Sequence, residues 1–340
     1  MNELFFLPEN IKRRDEVDIL LVTGDCYIDH PSFGIAIIAR VLSDAGFSVC
    51  IASQIEYFNK DYLNILPNVK LFIGISSGNL DSAVANYSSL RNERKDNPYS
   101  INGEVFFENG QKRRPDRALI IYTSFLKQRY KNTKIVLGGV EASVRRFAHY
   151  DFVQQKLRQS TLSDAKGDIL VYGMGEKAVI EIASRLQSDQ SLFGINGTCV
   201  RVKESEVEED RIKSLKPIKL YSINDLAINN SLLIKNMETL ESNMVYDKST
   251  PLLQKQNSEY ILSFIPQKPL STEEIDSIYA LNFRKDFPEY CKSVPAWKMI
   301  NSSITTHRGC YGKCSFCAIT IHQGPSISER SHQSIIDEAK

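Results

Sequence analysis

Near the end of the chain, HRGCYGKCSFCAI sets three cysteines at a C-x3-C-x2-C spacing: Cys310, Cys314 and Cys317. Three thiols this close in sequence read as metal ligands, because thiolates are the soft donors that zinc and iron–sulfur clusters take. A structural zinc site closes its tetrahedron with four protein ligands. A typical [4Fe–4S] cluster likewise takes four thiolates. Three leave one corner open, and an open metal position is where chemistry happens. The competing reading is a zinc knuckle that only staples the C-terminal segment, with His307 or His322 as fourth ligand.

Such a loop needs elements to carry it, and the order around it reads as strand, cysteine loop, helix. KMINSSITTHRG reads as the strand, and SISERSHQSIIDEAK as the helix, with Ile335, Ile336 and Ala339 on one side. Upstream, the first 200 residues repeat one rhythm of apolar run, turn and helical pattern. VDILLVTGD, SVCIASQ, KLFIGISSG, KIVLGGV and DILVYGMGE read as five strands. PSFGIAIIARVLSDAGF reads as a helix, with Pro31 suited to its first turn and Gly46 to its C-terminal cap. RALIIYTSFLKQRY is a second helix, and Val179, Ile182, Ala183 and Leu186 mark a third by their i, i+3, i+4, i+7 spacing. Strands alternating with helices predict an α/β fold, a doubly wound parallel sheet covered on both faces.

From about 201 to 295 the texture changes. ESEVEED is a solvated acidic run, and Leu233, Met237, Leu240 and Met244 form a packing stripe. EYILSFIPQKPL reads as extended, and STEEIDSIYAL opens with Ser271 and Glu274 in capping-box positions. The expected organisation is therefore an α/β domain over 1–200, a mostly helical connector over 201–295, and the start of a further domain over 296–340.

Bulk properties exclude several classes of function. With 42 basic and 41 acidic residues the formal charge is +1, so no global field recruits nucleic acid or an anionic membrane. No run approaches the roughly 20 apolar residues of a spanning helix. The N-terminus lacks a signal-peptide pattern. Seven cysteines, an odd number, favour a reducing compartment over a disulfide framework. A cytoplasmic protein is expected.

Bound by Cys310, Cys314 and Cys317, a [4Fe–4S] cube would keep one iron free to chelate the amino and carboxylate groups of S-adenosylmethionine. An electron passed through it would cleave the sulfonium and release a 5′-deoxyadenosyl radical. Gly309 and Gly312 let the backbone curl around the cube, and Phe316 offers a ring on which adenine stacks. C-x3-C-x-aromatic-C resembles the signature of the radical S-adenosylmethionine (SAM) superfamily. ITTHRGCYGKCSFCAITIHQG, VTGDCYIDHPSFG, GGVEASVRRFAHYD and LVYGMGEKA together resemble the YgiQ-type (UPF0313) radical SAM family across nearly the whole chain.

That resemblance implies cluster ligation by the three cysteines, adenine contact near Phe316, and an electron donor such as flavodoxin or ferredoxin. It also implies a cobalamin-binding-like Rossmann N-terminal domain followed by the first βα units of a partial TIM-type barrel. The substrate stays open. Lys313 and Pro325 stand where similar sequences carry Gly and Arg, and both read as tolerated surface changes. Trp297 to Lys340 is 44 residues, against about 30 for one βα unit, so most of a six-unit barrel is missing. The expectation is the front half of a longer enzyme, the alternative a truncated, inactive fragment or a non-catalytic metal-binding module.

In an open parallel sheet, ligands bind at the carboxyl ends of the strands. TGDCYIDHPSFG, SSGNLDS, GGVEASVRRF and YGMGEK all fall there, so this edge is expected to shape or cover the radical site. A corrinoid is possible but disfavoured: its usual lower-ligand motif is D-x-H-x-x-G, whereas Asp29 and His30 are adjacent and Gly34 follows four residues after His30. His149 is a second candidate without motif support. KRRPDR (112–117) is the one concentrated basic run, read as an exposed loop with RNA contact as the less favoured alternative. Cys50 and Cys199 read as core thiols, Cys26 and Cys291 as inert ones.

Overall fold

A computed structural model of the chain describes residues 4–8, 15–284, 293–312 and 314–340. Among these, fourteen strands are present: β1 Leu4–Leu7, β2 Glu16–Thr23, β3 Val49–Ser53, β4 Asn68–Ser76, β5 Lys134–Gly138, β6 His149–Asp151, β7 Lys156–Arg158, β8 Ile169–Val171, β9 Thr198–Lys203, β10 Ile218–Leu220, β11 Leu252–Lys255, β12 Glu259–Ser263, β13 His307–Arg308 and β14 Ser328–Glu329. Ten form one sheet in the order β1-β3-β2-β4-β5-β8-β9-β12-β11-β10. Its heart is the expected five-stranded parallel unit, β3-β2-β4-β5-β8. Counted within that unit the order is 2-1-3-4-5, a doubly wound arrangement with its switch point between β2 and β4.

The sequence makes this sheet by supplying apolar residues to both faces. Side chains alternate along a strand, and in β2 and β4 the two alternate sets enter different cores. Ile19, Leu21 and Phe72 pack under the helices Gly34–Asp44 and Glu176–Gln187. Leu20, Val22, Ile73 and Ile75 pack on the opposite face against the helix Ala118–Leu126. Buried on both sides, these strands read as continuous apolar runs. Gly46, at φ +91°, takes the left-handed position just past the end of the Gly34–Asp44 helix, as expected of it. That helix starts after Phe33, so Pro31 lies ahead of its first turn.

Two expectations about elements are corrected. Residues 201–295 contain helices, among them Leu232–Ser242 and Thr272–Tyr279 with its Ser271–Glu274 capping box. Yet they are more than a helical connector, for β10, β11 and β12 extend the sheet beyond β9. Val202, Leu253, Leu262 and Phe264 give these strands a small core of their own, which pays for the extension in buried apolar surface. KMINSSITTHRG is not a strand throughout. It opens with a helical turn, Trp297–Ile300, that sets Trp297 and Ile300 against the first core, and only His307–Arg308 is extended, paired antiparallel with Ser328–Glu329. No helix among the described residues is long and apolar enough to cross a membrane.

Candidate functional site

The cysteine loop leaves β13 at Gly309, whose φ of +89° favours glycine and where a Cβ would fall 2.0 Å from the Ser326 carbonyl oxygen. Backbone and side-chain bonds then fold the loop back on the helix Ile319–Gln323. The Gly309 N–H donates to Gln323 Oε1 at 3.0 Å and the Cys310 N–H to the Gly324 carbonyl at 3.1 Å. The Thr320 hydroxyl lies 3.0 Å from the Cys310 carbonyl and 2.8 Å from that of Gly312, and donates to one at a time. The sulfurs of Cys310 and Cys314 approach Gly312 from one side, 3.4 and 3.9 Å from where its Cβ would be. Cys317 follows one turn later, its N–H donating to the Cys314 carbonyl at 3.0 Å.

Among the described residues no three His, Cys, Asp or Glu side chains stand close enough to hold a metal ion as they are placed. The donor set still suits a soft metal: three thiols, Cys314 exposed and the other two half-buried, on a loop with no side chain at Gly312 to intrude. The zinc alternative fares worse. His322 is turned to the sheet edge, its Nδ1 2.8 Å from Ser143 Oγ. Burial, assisted by Arg146 and Arg308 and opposed by Glu176, pushes its pKa down to about 4. His307 Nδ1 lies 3.0 Å from Thr306 Oγ1.

Phe316 and Cys317 border a cavity of about 940 Å³ whose other walls are the carboxyl ends of the sheet strands. All four edge loops singled out in the sequence reach it, through Asp25, Asn79, Gly139 and Gly173 among others. Buried ion pairs brace that edge. Arg114 pairs with Asp25, whose Oδ2 accepts the Asn79 N–H at 2.7 Å. Arg145 grips Asp81 with two bonds of 2.6 and 2.9 Å. Glu141, fully buried, accepts from both the backbone and the hydroxyl of Ser82, and burial raises its pKa. Phe316 itself is 90% exposed, free to offer a ring face.

Asp29 and His30 do not border the cavity. Asp29 accepts from Arg40 Nε at 3.1 Å and from the Arg284 N–H at 3.0 Å, and His30 Nδ1 accepts the Ser32 N–H at 3.1 Å. His149 does border it. Its Nδ1–H donates to the Phe147 carbonyl at 3.1 Å, and burial above all pushes its pKa down to about 4. The ring is therefore neutral at pH 7, with the lone pair on Nε2.

The basic run 112–117 is not the exposed loop expected of it: Arg114 and Pro115 are buried and the rest half-buried, because ion pairs neutralise the charges, Lys112 with Glu93 and Asp116, Arg113 with Glu104, Arg114 with Asp25, and Arg117 with Asp151. Cys50 and Cys199 are core thiols, and burial pushes the Cys199 thiol up to about 11. Cys26 Sγ donates to Gln54 Oε1 at 3.3 Å. Cys291 and Lys313 lie outside the described residues.

One part of the site was missed in the sequence. Arg308, two residues before Cys310, forms a buried ion pair with Glu176 and donates through Nε to the Tyr279 hydroxyl at 3.1 Å. Arg330 stacks over the same Tyr279 ring at 4.4 Å and pairs with Glu338. These contacts seat the cysteine loop on the end of β8. The available signal was a Glu closing YGMGE and the Arg of HRGC, both in segments read only for their glycines and cysteines.

The family model described as "Radical SAM N-terminal" matches residues 8–303. UPF0313 proteins are similar along nearly the entire chain. The relative from Methanosarcina mazei is 40% identical, covering 98% of this chain and 58% of its own. The relative from Clostridium botulinum is 39% identical, covering 100% and 52%, and that from Geobacter sulfurreducens 40% identical, covering 98% and 55%. The chain thus spans about half the length of the curated relatives it matches. Among solved structures, the radical S-adenosylmethionine methyltransferase TsrM from Kitasatospora setae, with tryptophan substrate and a SAM analog bound, aligns at TM-score 0.49 and 16% identity over 94% of this chain and 44% of that one. The same enzyme with cobalamin and a [4Fe–4S] cluster bound aligns at TM-score 0.47 and 14% identity, over 96% and 45%. At that distance the likeness carries no argument about function.

Proposed function

This chain belongs to the UPF0313 family of radical SAM proteins, and from that premise we propose that Cys310, Cys314 and Cys317 hold a [4Fe–4S] cluster used to cleave S-adenosylmethionine reductively. The observation that carries the reading is the shared cavity: Cys317 and Phe316 border the same space as the four strand-end loops. When bound, a cluster with one iron free of protein ligands supplies a coordination site and an electron for breaking a sulfonium C–S bond. The chain's own residues do the positioning. Gln323, Gly324 and Thr320 hold the loop backbone by the bonds described, the absence of a side chain at Gly312 leaves room beside the Cys310 and Cys314 sulfurs, and the exposed Phe316 ring receives adenine. The cavity admits the substrate.

The electron comes from an external low-potential donor such as flavodoxin or ferredoxin. The neutralised basic run supports a partner other than nucleic acid. Free thiols at all six described cysteines support a reducing compartment, the cytoplasm.

The test is the EPR spectrum of the anaerobically reconstituted, dithionite-reduced chain, recorded with and without S-adenosylmethionine. A [4Fe–4S]⁺ signal that shifts on adding the cofactor is the expected result. A cluster signal indifferent to the cofactor would deny these residues a working site by themselves. One zinc and no iron would leave a non-catalytic metal-binding module.

A corrinoid is a second occupant, favoured by one observation: the neutral His149 borders a cavity of about 940 Å³ at the edge where doubly wound sheets bind ligands. In the sequence a corrinoid is disfavoured because Asp29 and His30 miss the D-x-H-x-x-G spacing and His149 has no motif support. Reconstitution with hydroxocobalamin tests it: absorption bands retained through gel filtration are expected if it binds, and their loss in His149→Ala identifies the ligand. A colourless protein ends this second reading and leaves the first untouched.

A further inference from the structure

The walls of the large cavity are electrically balanced. Among the described residues its lining carboxylates and guanidinium groups are Asp25, Asp81, Glu176, Arg145 and Arg308, and no lysine lines it. Each is already in an ion pair: Asp25 with the buried Arg114, Asp81 with Arg145, and Glu176 with Arg308. These side chains are all 11% exposed or less. A charged ligand that drew one of them away would leave its partner buried without a counter-ion, which is strongly unfavourable. Of the lining histidines, His307 is exposed. His149 and His322 are neutral at pH 7, burial above all pushing each down to about 4.

Much of the remaining wall is apolar. Ile35 and Ile38 of the helix Gly34–Asp44, Val140 and Val144 of the helix Gly139–Val144, and Phe152 beyond β6 all line the cavity half-buried. Apolar surface left facing water is unfavourable, and a ligand that covers it gains in proportion to the area removed. Gly138, at the end of β5, keeps space clear, since a Cβ there would meet nothing within 4 Å. The volume of about 940 Å³ is near the upper end for small-molecule sites, roughly 300–1,000 Å³, so a substrate fits beside a cofactor at the Cys317 end. Two helices start at this edge, a setting that favours negative charge. At one start the chain supplies its own carboxylate, Glu176, and at the other Gly34 to Ile37 bring no cationic side chain.

We infer that the substrate held at this edge is an uncharged, mainly apolar small molecule, and that charged molecules are refused because the lining charges already pair with one another. The ion pairs then act as braces for the strand-end loops, and ligand affinity comes from covering Ile35, Ile38 and their neighbours. That the ligand is a substrate rests on the radical SAM reading. That the cavity takes an uncharged ligand does not, since neither the pairs nor the apolar walls involve a cluster.

Two fluorescent probes of one skeleton test it: uncharged N-phenyl-1-naphthylamine, and 8-anilino-1-naphthalenesulfonate, which adds a single anionic group. Both are titrated into the purified, metal-free full chain, so the result does not depend on the EPR outcome. Saturable binding of one uncharged probe per chain is expected, with the sulfonate about tenfold weaker or more, because its charge loses water and finds no free counter-ion. Ile38→Lys sets one unpaired cation in the wall and should reverse that order, weakening the uncharged probe and tightening the sulfonate. Gly138→Phe fills space and should weaken the uncharged probe about tenfold. Its thermal midpoint should match the wild type, because the backbone there is extended, with φ −154°. Absence of saturable binding of the uncharged probe overturns the inference, as does equal or tighter binding of the sulfonate by the wild type. An unchanged order in Ile38→Lys together with unchanged affinity in Gly138→Phe places the probe elsewhere and overturns it too. Displacement of the bound probe by one equivalent of hydroxocobalamin gives the cavity to a corrinoid and overturns it as well.

Discussion

Replacing Cys314 with alanine is expected to take the reconstituted chain from about four irons to near zero, the stoichiometry of one cubane cluster. The same result is expected for Cys310→Ala and Cys317→Ala. The reason is local and chemical. With three thiolates for four irons, every ligand holds its own corner, and among the described residues no other cysteine lies on the loop. Among the described residues the remaining cysteines, Cys26, Cys50 and Cys199, are buried in the sheet domain, so their alanine variants should keep full iron and serve as controls. His307→Ala and His322→Ala should also keep it, because a zinc knuckle would need one of them and a three-thiolate cluster needs neither. Iron content by colorimetric assay, with zinc measured in the same samples, decides the matter. If His322→Ala empties the site while Cys314→Ala does not, the loop is no cluster site.

The legible parts of this protein were those whose chemistry is short-range along the chain. β2, β4 and β5 could be read because a strand buried on both faces must be apolar at nearly every position, and Ile19 to Val22 are so. The capping box at Ser271 and the left-handed Gly46 were readable for the same reason, since each is decided within four residues. The cysteine loop was readable because its donors are only three and four residues apart. What escaped is what tertiary contact decides. β10 and β11 are short, and nothing in Ile218–Leu220 says that a sheet edge waits for it. Trp297 and Ile300 turned helical because a buried wall stood beside them, overriding a β-like local pattern. The Glu176–Arg308 pair joins residues 132 positions apart, a separation at which no spacing rule operates.

That pair is where the largest effect on stability should appear. Both side chains are 5% exposed, and Glu176 is the first residue of a helix while Arg308 leads into the cysteine loop. Removing one partner leaves a buried charge with no counter-ion, a change that costs about 3–5 kcal/mol, whereas replacing both with apolar residues is often neutral. Glu176→Ala should therefore lower the free energy of guanidinium-induced unfolding by about that amount. Glu176→Leu combined with Arg308→Met should recover most of the loss. Hydrogen exchange locates the effect. The Gly309 and Cys310 amides, held by Gln323 and Gly324, should lose protection in Glu176→Ala while amides of β2 and β4 keep theirs. Iron retention should then fall although all three thiols remain, which separates positioning of the loop from ligation by it. A single variant as stable as the wild type, with loop amides still protected, would show that the cysteine loop is held by its own bonds to residues 320–324 and that the ion pair is incidental. The geometry argues otherwise: those bonds are local to the loop, and beside the His322–Ser143 contact Arg308 supplies the charged tie to the sheet edge on which the cavity is built.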